Sequence, residues 1–83
     1  MSTRSPIEQL LQTWKHAEEE ARNAELSLYR AYLDFTAARG DAPGEAQKVQ
    51  AHALRTQARA AYQAAMAAVD LVLEEAEKRS RRG

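Results

Sequence analysis

His16 and His52 are the residues of this chain best suited to proton transfer or metal ligation, because imidazole titrates near neutral pH. Neither has the company that such chemistry needs. Folding the chain back on itself brings His16 near residue 68 rather than near His52, which shares a polar wedge with Arg59 and Asp70. The run Glu18-Glu19-Glu20 supplies carboxylates, but a di-metal helical bundle also needs an inward Glu-x-x-His pattern on two helices, and none is present. There is no glycine-rich phosphate loop, no nucleophile elbow and no HExxH. With no cysteine, thiolate zinc sites and disulfides are excluded. The sequence therefore predicts no catalytic residue, no metal and no cofactor.

One cluster has the chemistry to grip phosphate: the run Lys78, Arg79, Ser80, Arg81, Arg82. Lys78, Arg79, Arg81 and Arg82 are candidate contacts to nucleic acid. No aromatic residue is interleaved to stack on bases, and Glu74, Glu75 and Glu77 lie just upstream. The competing reading is that cations at a helix C-terminus complement the helix dipole. Formal net charge is zero with 29% charged residues, which argues against generic attraction to nucleic acid or an anionic membrane.

The elements that carry these residues are helical. Ser5-Pro6-Ile7-Glu8 reads as a capping box, with serine at the N-cap, proline at the first helical position and glutamate at the third. From there apolar residues recur in three-four alternation at Ile7, Leu10, Trp14, Ala17, Ala21, Ala24, Leu28, Ala31, Phe35 and Ala38, a coiled-coil-like seam in which Trp14 is core. Arg39 suits the last turn and Gly40 the left-handed position after it, giving a first helix over residues 6–39. Gly40-Asp41-Ala42-Pro43-Gly44 is the one break, with Asp41 or Ala42 as the next N-cap. A second helix spans 45–79, seamed by Ala58, Tyr62, Ala65, Val69, Val72 and Ala76, and a basic tail covers 78–83. The fold class is all-α: residues 1–83 form one antiparallel two-helix hairpin. Fold-back should place Tyr62 near Ala21, Met66 near Ala17, and Ile7, Leu10 and Trp14 against Val69, Val72, Leu73 and Ala76.

The stretch AELSLYRAYLDF, residues 24–35, carries more apolar side chains than one seam uses. Leu26, Tyr29 and Leu33 fall together more than about 90° from the seam at 100° per residue. The second helix has a matching excess in Ala46, Val49, Ala53, Ala60, Ala64, Ala67 and Leu71, while Glu45, His52, Arg59, Gln63, Asp70 and Glu74 crowd into a narrow wedge. A helix apolar around most of its girth is ordinarily an inner helix. An 83-residue chain also buries little surface alone, and ordering about 70 residues at about 1.5 kcal/mol each demands more burial than one seam supplies.

These features predict a homodimeric four-helix bundle, with Leu26, Tyr29, Leu33, Val49, Ala53, Ala60 and Leu71 as the dimer or partner interface. The expected function is that of a non-catalytic structural or adaptor protein acting through helix–helix contact with itself or with another helical protein. No apolar run approaches a membrane span and the N-terminus lacks the apolar core of a signal peptide, so a cytoplasmic setting is expected. In outline a dimer of short hairpins is similar to plasmid RNA-binding hairpins of the Rop type. That resemblance implies the alternative of nucleic-acid binding through the basic tail. A small subunit completing the bundle of a larger complex is the other alternative.

Overall fold

A computed structural model of the chain, describing residues 5–82, contains two helices: α1, Pro6–Thr36, and α2, Glu45–Arg82. The start of α1 follows from its cap. Ser5 is extended, its hydroxyl accepts a hydrogen bond from the Glu8 N–H at 3.2 Å, and Pro6 occupies the first helical position, where a missing N–H costs nothing.

The end of α1 differs from the sequence expectation. The helix stops at Thr36, and the left-handed residue is Ala38 (φ 58°) rather than Gly40. Arg39 N–H donates to the Asp34 carbonyl at 2.8 Å and Ala38 N–H to that of Phe35 at 3.0 Å, the paired closure of a Schellman motif. The Arg39 guanidinium lies 3.6 Å from the Asp34 carboxylate across this closure. A left-handed alanine costs about 1–2 kcal/mol relative to the right-handed conformation, so the closing hydrogen bonds outweigh that strain.

The start of α2 differs as well. The Gly44 carbonyl accepts the first helical bond from Lys48 N–H at 3.3 Å, so the N-cap position falls on Gly44 and not on Asp41 or Ala42. Pro43, which is buried, explains the shift, because a proline ring drives the preceding residue out of the helical region. At its far end α2 continues through Arg82, three residues past the expected stop. Spaced pairs Glu75–Arg79 at 3.9 Å and Glu77–Arg81 at 3.8 Å line the last turns, and cations there suit the carbonyl end of the helix.

The two helices pack as an antiparallel hairpin, but not in the expected register. Trp14 lies against Tyr62, with ring centroids 5.3 Å apart and planes at 59°, and Lys48 sits over the Tyr32 ring at 5.9 Å. Trp14 is therefore not opposite Val69, Val72, Leu73 and Ala76, nor does Tyr62 belong to Ala21. Relative to the expected pairing α2 has slipped by roughly four to eight positions, one to two helical turns. The shorter α1 moves the fold-back point toward the N-terminus, and α2 consequently outruns α1.

The core is made of methyl groups. Ala21, Ala51, Ala58 and Ala65 are buried, and among the described residues no large side chain is fully buried. Ile7, Leu10, Trp14, Ala17, Ala24, Leu28 and Ala31 of the expected α1 seam are half-buried around them, as is Val69 of α2. Phe35, Tyr62 and Val72, also placed in the seam, remain about half exposed. The seam of α2 additionally takes in Leu54, Arg55, Ala61 and Ala68. Small residues at the contact let two helices approach closely.

Candidate functional site

The most organised polar arrangement in the hairpin bridges the helices. Arg55 comes four residues after Ala51 and three before Ala58, which puts it on the shoulder of the α2 seam. Glu18 and Glu25 flank Ala21 in the same way on α1. Arg55 Nε and Nη2 donate to Glu25 Oε2 and Oε1 at 2.9 and 2.5 Å, a bidentate pair. Its Nη1 donates to Glu18 Oε2 and Oε1 at 2.5 and 3.0 Å. Trp14 and Tyr62 sit beside this clamp, in a shallow groove that Glu18, Arg55, Ala58 and Arg59 also line. The sequence reasoning missed the clamp. Its signal was available in two glutamates seven residues apart beside the seam and one arginine beside the facing seam, the e/g pattern of a coiled coil.

The Arg55 guanidinium, through its hydrogen bonds, holds the Glu25 carboxyl below its ordinary value of 4.5. Partial burial opposes this shift, and the charges of Arg55, Arg59 and Arg22 assist it. Hydrogen bonds to Glu25 first and Glu18 second push Arg55 upward. A carboxylate whose pKa is lowered on folding contributes stability that is present above 4.5 and lost as pH falls through its folded-state value. Urea midpoints of the native chain should therefore fall on acidification below about pH 4.5, and Glu25→Gln should flatten that part of the profile. Equal acid sensitivity in both proteins would show that the clamp does not contribute.

The arrangement ties the two helices together. His16 is exposed and 3.1 Å from Glu20, its neighbour one turn on. His52 is exposed on α2, and its carbonyl accepts from the Thr56 hydroxyl at 3.0 Å. Among the described residues no three His, Asp or Glu side chains converge as metal ligands. On the opposite side of the hairpin an open groove runs between Glu20, Asn23, Ser27, Gln47 and Gln50, floored by Ala24 and Leu54, with no charge on its α2 wall.

All seven residues expected at an interface are exposed: Leu26, Tyr29, Leu33, Val49 and Leu71 at 45–61%, with Ala53 and Ala60 beside them. They do not form one face. Leu26 is five residues beyond Ala21, about 140° round the helix, so it and Leu33 occupy the outer edge of α1. Val49 and Ala53 are each two residues from Ala51, and Ala60 is two from Ala58, about 160° away on the outer edge of α2. The hairpin holds these two groups on opposite sides. Tyr29 stands between the outer edge of α1 and the face carrying Glu25, and Leu71 lies where α2 begins to outrun α1. Of the candidate phosphate contacts, Arg79 and Arg81 face Glu75 and Glu77 on their own helix, while Lys78 is exposed and Arg82 closes the helix.

Comparison with protein-family models, curated proteins and solved structures finds no match to this chain. No helix among the described residues is long and apolar enough to cross a membrane.

Proposed function

We propose that this chain is a non-catalytic structural or adaptor module that works through helix–helix contact and self-associates as a two-fold homodimer of four helices. One observation carries the reading. The chain exposes 6817 Å² of surface, whereas a compact monomer of 9.3 kDa exposes about 5000 Å². Shape agrees: the radius of gyration is 19.3 Å and the long axis 67 Å, against about 12 Å for the radius of a globular domain of this length. The excess is larger than the roughly 800 Å² per partner of a standard protein interface. Ten large apolar side chains contribute to it, so covering them would add burial that four alanines do not provide.

The two outer edges suit different occupants. Self-association covers surface contributed by α2, and Leu26, Tyr29 and Leu33 at the edge of α1 are left as an apolar patch for another helical protein. The lack of cysteine suits a reducing, cytoplasmic setting. Solution mass by light scattering or sedimentation, with helicity recorded on the same samples, tests the proposal. A helical species of twice 9.3 kDa that dissociates only on dilution is expected. A well-folded monomer at every concentration would overturn self-association.

A further inference from the structure

The seam of α2 outlasts α1. Val72 follows the fully buried Ala65 by seven residues, so it occupies the same stripe, yet it is 49% exposed, with Leu71 and Leu73 at 61% and 60%. In the observed register Pro6 falls opposite α2 near residue 70, and the helix then runs from Leu71 to Arg82, a projection of about 18 Å. The projection is polarised. Residues 71–77 are apolar and acidic, with Leu71, Val72, Leu73, Glu74, Glu75 and Glu77, and the rest is basic, with Lys78, Arg79 and Arg81. Two such segments side by side in parallel place like charge on like charge. Side by side in antiparallel they place each basic half on the other's acidic half, twice over.

We infer that the occupant of this projection is the projection of a second copy of the chain, so that two hairpins join open end to open end. The inference rests on the self-association proposed above and specifies its contact. Direction and length agree with it. A two-fold partner runs antiparallel to α2, as α1 does, so its projection takes up the line of α1 where α1 stops. Fitting the partner's tip against the start of α1 sets the register with Glu75 across from Lys78 and Arg79, and Glu75 and Arg79 both lie with Val72 on the stripe that would meet the partner. The charge pattern favours the same alignment. The intrahelical pair that Arg79 makes with Glu75 at 3.9 Å is exposed and weak, and exchanging it for contacts across the dyad costs little. The pairing assigns a use to the basic run, which serves the partner chain rather than phosphate, and leaves the outer edge of α1 free. The resulting four-helix assembly is long, joined at its middle, and not a side-by-side bundle.

Charge reversal tests this contact by sedimentation velocity, with helicity checked on each sample. In the triple variant Lys78→Glu, Arg79→Glu, Arg81→Glu, and separately in Glu74→Lys, Glu75→Lys, Glu77→Lys, the dimer should dissociate at concentrations where the native chain is dimeric. Mixing the two variants one to one should restore it, because a predominantly acidic tip then meets an all-basic one. The mixture also guards against the first variant merely fraying its helix end. Native association should weaken at least tenfold when salt is raised from 50 to 500 mM. A native dimer that survives either reversal, or variants that do not recombine, overturns the open-end contact and leaves self-association through the side of α2. A monomeric native chain overturns both proposals.

Discussion

Replacing Ala21 with leucine is expected to destabilise the hairpin by about 1–3 kcal/mol, the usual cost of forcing methylene groups into a closed contact. Ala21 is fully buried between Glu18 and Glu25 on the seam of α1. A leucine there must push α2 outward and so pull Arg55 away from both carboxylates. Two readouts should move together. The urea midpoint drops, and the acid sensitivity attributed to Glu25 fades because its partner has been displaced. Leucine and alanine are both good helix formers, so intrinsic propensity does not account for a loss of this size. Ala60→Leu supplies the control. It lies on the exposed outer edge of α2, where the same substitution should change stability by no more than about 0.5 kcal/mol. Equal effects at the two positions would refute a closely packed alanine seam.

Trp14→Ala is the second large effect, at about 2 kcal/mol, less than the 3–5 kcal/mol of a fully buried tryptophan because Trp14 is only half-buried. Its tilted contact with Tyr62 is the one aromatic pair between the described helices, and it stands beside the Arg55 clamp. Trp14→Phe should recover most of the loss by keeping a ring against Tyr62. Chemical unfolding followed by far-ultraviolet circular dichroism measures all three proteins on one scale. If Trp14→Ala unfolds at the native midpoint, the register inferred from this pair is not the one that stabilises the hairpin.

Which parts of this structure could be read from the sequence depends on how local the determining physics is. Ser5, Pro6 and Glu8 act within one turn, and α1 begins where they place it. The seam from Ile7 to Ala31 follows from helical geometry alone, and those residues face α2. The end of α1 was not legible, because it depends on Ala38 accepting a left-handed conformation when two glycines stood nearby. That misplacement of three residues propagated into the register, since a hairpin's pairing is set at its turn. The same slip hid the interhelical clamp. Arg55 reads as one more shoulder cation until the register puts Glu18 and Glu25 within reach. The residues expected at an interface are all exposed. Only the three-dimensional hairpin shows that Leu26 and Leu33 stand on the opposite edge from Val49, Ala53 and Ala60.

An alanine core also shapes how the isolated hairpin responds to temperature. Unfolding heat capacity rises by about 0.45 cal/mol/K for each Å² of apolar surface released, and here the buried side chains are small while the large apolar ones of the seam, Ile7, Leu10, Trp14 and Leu28 among them, are only half-buried and release only part of their area. The single chain consequently has a small heat-capacity increment and a nearly flat stability curve. Its melting is broad, and its urea dependence is shallow because that slope follows the area exposed. A steep transition in this protein would therefore report surface that one hairpin cannot bury, and its midpoint would climb with protein concentration as each copy covers the other.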